Sequence, residues 1–307
     1  MKNENKVSIV ITTFNRSREL LRAVNSALNQ TYPFFEIIVM DNCSTDNTEE
    51  LIKNIQDSRI VYYKNKNNIG GHRNKAEGLK KAEGKYIVFL DDDDYYTDER
   101  WIENAVSVFE KEPGVSAVLG DSFIWNINTN KTSLRKIGAN GVINNKYYSD
   151  FFEVKFYKPN STFTTIQKSQ NFELIKELES LDDIIFFTCA LIMGNLYVLE
   201  KEIGIYSFSD LGGTFNLDYS FIECNYYGLE KIYNKITKEE QDKFYCYFKR
   251  SFKNLCICYS RSKKATVKGI FNLLFHIISS NSPGKIVQII YLFGVYFFYK
   301  LHFKKFW

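Results

Sequence analysis

Residues 86–94 read YIVFLDDDD: five apolar or aromatic residues followed at once by four aspartates. A short apolar run bounded by Gly84 and a charge cluster fits a strand buried on both faces. Upstream, VSIVITT (7–13) and EIIVM (36–40) have the same character, and shorter strand-like runs lie at 60–63 and, downstream, 115–120. Between them lie segments of helical spacing. Residues 17–30 place Leu20, Leu21, Val24, Ala27 and Leu28 on one face. Residues 46–55, with Thr45 or Asp46 as a cap, 71–82 and 99–111 complete a strand–helix alternation. Repeated βα units of this length predict an α/β fold, a Rossmann-like and mostly parallel sheet covered on both faces.

In such sheets ligands sit outside the carboxyl ends of the strands. The residues there are Thr12, Thr13, Phe14, Asn15 and Arg16 after the first strand, and 41–46 (DNCSTD) after the second. The loop after the third leads to His72, Arg73 and Asn74, and Asp91–Asp94 follow the fourth. Four adjacent carboxylates repel one another, and a cation among them relieves the repulsion. Hard oxygen ligands favour Mg²⁺ or Mn²⁺, ions that also bridge to substrate phosphates. Strand alternation sends Asp91 and Asp93 one way and Asp92 the other, so one stretch can hold a metal diphosphate and reach a ribose.

The bulk composition limits the alternatives. A net charge of +4 lacks the basic excess of a nucleic-acid binder. The six cysteines form no CxxC pair; free thiols and an N-terminus running straight into a strand, with no leader-like segment, point to the cytoplasm. Residues 126–145 read as a loop or weak hairpin, and 172–181 and 184–193 as helices. From about 215 the chain is aromatic and helical in pattern. Its run IVQIIYLFGVYFFY (286–299), followed by lysines, is short of the ~20 residues of a membrane span. Such a segment suits an interfacial helix on an anionic leaflet; packing on the main domain or a homodimer seam is the alternative.

The ordered series VSIVITTFNR, EIIVMDNCSTDNT and NIGGHRNKAEGLKKAEGKYIVFLDDDD resembles the family 2 glycosyltransferases of GT-A fold. The resemblance covers roughly residues 7–125, and its specificity lies in several motifs in order at matching spacing. It implies a GT-A catalytic domain over 1–215, with a nucleotide-sugar-binding half (1–125) and an acceptor half (126–215), and a helical region over 216–307. It implies that Thr12 meets the nucleotide base. Asp41 and Asn42 take the positions of the base- and ribose-reading acids, Asn42 replacing a frequent second Asp. Arg73 approaches the nucleotide, and Asn15 lies in the donor-binding set. Asp91–Asp93 matches the metal motif: Asp93 and Asp91 hold Mn²⁺ or Mg²⁺, and Asp92 or Asp91 touches ribose or sugar.

Sugar transfer also needs a carboxylate to take the acceptor hydroxyl's proton. LDDIIFF (181–187) is similar to the family's Glu-Asp pair before a helix, which makes Asp183 the expected base and Asp182 a shaper of the acceptor site. The pair in this chain is Asp-Asp, and acids are in any case favoured at helix N-termini. SDLGGTF (209–215) reads either as a loop closing over the donor or as a plain turn. The expected activity is inverting, metal-dependent transfer from a nucleotide-diphosphate sugar, a UDP-sugar foremost, to a glycan or lipid-linked glycan of surface polysaccharide. The expected location is the cytoplasmic face of the membrane. A polyprenyl-phosphate sugar synthase shares the donor domain, and an inactive binding scaffold is the non-enzymatic alternative. A response-regulator receiver lacks support in TTFNR, which carries no acidic pair, and a nucleotidyltransferase would have a Gly-rich basic loop there.

Overall fold

The computed structural model describes residues 5–144, 162–175, 177–208 and 219–241. The chain divides into two compact units, Met1–Phe208 and Ser209–Trp307.

The first unit is built on a sheet that begins with β1 (Val7–Thr13), β2 (Phe35–Asp41), β3 (Ile60–Lys64) and β4 (Tyr86–Asp91). These four are parallel, in the spatial order β3-β2-β1-β4. Every residue of β2 and all but one of β1 are buried, so apolar β-branched side chains fill both faces. The helices α1 (Ser17–Leu28), α2 (Thr48–Lys53), α3 (Gly71–Lys81) and α4 (Trp101–Lys111) cover it. On α1 the buried residues are Leu20, Ala23, Val24 and Ala27, one stripe of the helix. On α3 Gly78 faces the sheet so closely that a Cβ there would lie 2.5 Å from Val10 Cγ1.

Beyond β4 the sheet becomes mixed. It adds β5 (Tyr95–Tyr96), β6 (Val115–Asn126), β7 (Lys131–Arg135), β8 (Gly141–Ile143), β9 (Thr165–Lys168) and β10 (Asn195–Phe208). Strand β9 runs antiparallel between β4 and β6, and β10 lies parallel to β6. Helix α5 (Asp183–Met193) packs against β6 and β10 through residues such as Ala190 and Leu191.

Two local expectations need correction, and a third is decided between its alternatives. The second helix starts at Thr48, not 46, because the Asp46 carboxylate accepts hydrogen bonds from the amides of Ser17 and Thr48. It thereby stays outside the helix and pins the starts of α1 and α2. Residues 172–181 do not form an α-helix: Ser169–Ile175 is a 3₁₀ helix, and 177–182 have no regular structure. Phe172, Ile175, Leu178 and Leu181 are all buried, and their spacing of three suits a 3₁₀ path rather than a 3.6-residue turn. Of the two readings of 126–145, the hairpin is realised: β6 runs on to Asn126 and pairs antiparallel with β7.

In the second unit the described part contains α6 (Tyr219–Lys235). After it, the Thr237 hydroxyl accepts from the Glu240 amide while the Glu240 carboxylate accepts from Thr237, a reciprocal capping box. Among the described residues no helix is long and apolar enough to cross a membrane. The aromatic segment 269–299 and the loop 209–215 lie outside the described residues.

Candidate active site

The parallel register sets Thr12 opposite both Met40 and Asp91, and Thr13 opposite Asp41. The ends of β1, β2 and β4 therefore open on one edge. There a cleft of about 290 Å³ is lined by Thr12, Arg16, Asn42, Asn68, Asn74 and Asp92, among others. One side is an amide wall; on the other, Asp92, paired with Arg16, leads into an acidic wall beside the cleft.

The amide wall is self-bonded. Asn42 donates to Asn68 Oδ1 (2.9 Å), and its own Oδ1 accepts from the amide of Ile69 (2.9 Å) and from Asn65 Nδ2 (3.3 Å). Asn65 also donates to Asn74 Oδ1 (2.8 Å), and Asn74 donates to the Met40 carbonyl (2.7 Å). Asp41 is wholly buried. One of its oxygens accepts from the Ser44 amide, the other from the Tyr62 hydroxyl. Burial and this carboxylate raise the Tyr62 phenol far above its ordinary range. Asn15 sits in the left-handed region (φ 53°), and its side chain accepts from the Thr45 amide. Asp41 and Asn15 thus shape the turn 41–46, whereas Thr12 and Asn42 line the cleft. Arg73 is exposed on the first turn of α3.

The acidic wall holds more charge than its neighbours cancel. Arg16 reaches Asp92 (3.1 Å) and Asp93 (2.7 Å), and Thr13 donates to Asp92. Burial, aided by Asp93 and Asp91, pushes the Asp92 carboxyl up to about 7 against the pull of Arg16. Asp93 is raised as well, by burial first and then by Asp91. Asp94 is structural: it is wholly buried and accepts from the Ser207 amide on β10. The Asp93 carbonyl accepts from Arg22, whose guanidinium lies over the Tyr95 ring, and from Ser207.

The acceptor half brings Asp183, the first residue of α5, to the same wall. Lys75 Nζ lies 3.1 Å from Asp91 and 3.1 Å from Asp183. Desolvation, with Asp182 and Asp91 nearby, pushes the partly exposed Asp183 carboxyl up to about 6 although Lys75 opposes the shift. For Lys75 itself burial works downward, and the surrounding carboxylates outweigh it and keep the ammonium charged. Sequence reading assigned no role to Arg16 or Lys75. A helical face carrying Lys75 three residues after His72, opposite an Asp-Asp pair, is the signal that could have found the lysine.

Among the described residues, no group of three or more His, Cys, Asp or Glu side chains is arranged to hold a metal ion. The donor set nevertheless fits a hard cation. It is all carboxylate, over-charged, and its more exposed members, Asp91 and Asp93, pair with Lys75 and Arg16.

Residues 8–193 match the family described as Glycosyl transferase family 2. The chain belongs to that family. This glycosyltransferase is therefore a transferase, and its relatives are of the same kind. Over 108 residues it is 44% identical to the UDP-Glc:alpha-D-GlcNAc-diphosphoundecaprenol beta-1,3-glucosyltransferase WfaP of Escherichia coli, a match covering 34% of this chain and 42% of that relative. Over 317 aligned residues it is 27% identical to the GalNAc(5)-diNAcBac-PP-undecaprenol beta-1,3-glucosyltransferase of Campylobacter jejuni subsp. jejuni serotype O:2, covering 92% of this chain and 97% of that one. Among solved structures, S. aureus TarS 1–349 in complex with UDP-GlcNAc superposes with a TM-score of 0.58 at 16% identity, covering 96% and 92% of the two chains. That likeness establishes the glycosyltransferase's GT-A fold.

Proposed function

We propose that this glycosyltransferase moves a sugar from a nucleoside-diphosphate donor, a UDP-sugar foremost, to a hydroxyl of a glycan or lipid-linked glycan, with inversion, in surface polysaccharide synthesis. The observation that carries the reading is the meeting of Asp183 with Asp91 across one lysine, beside a cleft of about 290 Å³ lined by Thr12, Asn42 and Asp92. The UDP-Glc donor and undecaprenol-linked acceptor in the relatives' names support the substrate class.

Thr12 and Asn42 face the base and ribose, Asp92 the ribose or sugar, and Arg73 approaches the nucleotide from the helix start. Asp41 and Asn15 serve the donor by holding the turn beneath it. Asp93 and Asp91 would hold Mn²⁺ or Mg²⁺, which when bound supplies charge to the leaving diphosphate. Asp183 takes the proton of the acceptor hydroxyl as its oxygen bonds to the anomeric carbon. The bond from that carbon to the phosphate oxygen breaks, and the nucleoside diphosphate leaves. Residues 216–307 attach the enzyme to the cytoplasmic face of the membrane.

The test is turnover of UDP-, GDP-, CDP- and dTDP-sugars with an undecaprenol-linked glycan acceptor, with the anomeric configuration of the product read by NMR. A β-linked product from an α-linked UDP-sugar is the expected result. A retained configuration contradicts single-step attack, and exclusive use of a GDP-sugar contradicts the donor assignment.

A further inference from the structure

The connection that delivers Asp183 has no regular structure over 177–182, so something outside it must fix the carboxylate. Helix α3 supplies three ties. The His72 carbonyl accepts from the Leu181 amide (2.9 Å), His72 Nδ1 lies 3.7 Å from Asp182, and Lys75 pairs with Asp183. His72 and Lys75 are three residues apart and so share one face of the helix. Helix α3 is in turn locked to the donor strands by the close approach of Gly78 to Val10 and by Asn74 on the Met40 carbonyl.

Lys75 is well placed for this. Its side chain is only 12% exposed, and its ammonium lies 6.0 Å from the Phe89 ring centre. Through it the Asp91 and Asp183 oxygens are held within about 6 Å of each other, like charges that would otherwise repel. We infer that Lys75 is a positioning residue of the transfer reaction, holding the Asp183 carboxylate in register with the β4 end so that the base and the donor meet. This rests on the reading of Asp183 as the base.

The experiment compares wild type, Lys75→Met, Lys75→Arg and Asp183→Asn, using the nucleotide sugar that wild type turns over fastest and its nucleoside diphosphate as the binding probe. Lys75→Met should lose at least 100-fold in kcat and keep nucleoside-diphosphate affinity within threefold, and Lys75→Arg should return to within tenfold of wild type. If thermal melting shows Lys75→Met unfolded, Lys75→Gln, which keeps a donor without the charge, is read the same way. A kcat within threefold of wild type in the neutral variant overturns the inference. So does a loss of nucleotide affinity as large as the loss of turnover, which would make Lys75 a donor ligand, or an equal loss in Lys75→Arg. An active Asp183→Asn instead removes the base assignment, whereas an inactive Asp183→Asn beside an active Lys75→Met removes this inference alone.

Discussion

The two walls of the cleft solve opposite problems. On one, Asn42, Asn65, Asn68 and Asn74 satisfy each other and the backbone, so the wall is neutral and rigid before any ligand arrives. On the other, Asp91, Asp92, Asp93 and Asp183 share Arg16 and Lys75, and the carboxyls of Asp92, Asp93 and Asp183 are pushed upward. Buried polar groups that bond one another support stability, while a surplus of like charge costs stability and is retained where it serves chemistry. Substitutions in the amide wall should therefore act on folding, and those in the acidic wall on activity.

The largest effect should come from Asp183→Asn, which removes the base. Turnover should fall by about 10²–10⁴-fold with nucleotide affinity retained, read by steady-state kinetics and calorimetry. The pH profile sharpens the same point. The base works only when deprotonated and its carboxyl lies near 6, so kcat/KM should decline as pH falls through that value.

Next comes the amide wall. Asn74→Ala removes the donor to the Met40 carbonyl, a buried bond, and the acceptor of Asn65, a part-buried one. It should cost about 1–3 kcal/mol in chemical denaturation. A loss of activity with unchanged stability would erase the distinction between the walls.

The smallest effect has the opposite sign. Asp92 is raised to about 7, above its unfolded value. Its contribution is therefore neutral below the unfolded pKa, and stability declines as pH rises through the folded one. Asp92→Asn should raise stability at pH 8 by on the order of 1 kcal/mol, leave it nearly unchanged at pH 4, and lower activity.

Legibility in the sequence followed the same division of physics. VSIVITT, EIIVM and YIVFL are buried on both faces, and a continuous apolar run announces that directly, so the parallel half of the sheet was readable. The long strand β10, NLYVLEKEIGIYSF, was not anticipated, because Glu200, Lys201 and Glu202 interrupt its apolar run where its register with β6 shifts. The 3₁₀ segment was misread because a period of three resembles a helix over ten residues. At the site, Asp91–Asp94 and the Asp182–Asp183 pair stood out by their chemistry. Their division of labour did not: Asp94 is structural through Ser207, and Lys75 links two acids 92 residues apart in the chain. The spacing of His72 and Lys75 on one helical face hints at a partner, but only the fold shows that the partners are Asp91 and Asp183.

The acidic wall should receive a metal-bound nucleotide. Calorimetric titration of the full chain with UDP, GDP, CDP and dTDP, with and without Mn²⁺, beside Asp93→Ala, tests it most directly. Mn²⁺-dependent binding of UDP above the other three, abolished in Asp93→Ala, is expected. Binding that is indifferent to Mn²⁺ and to Asp93, or no binding of any of the four by folded protein, would contradict it.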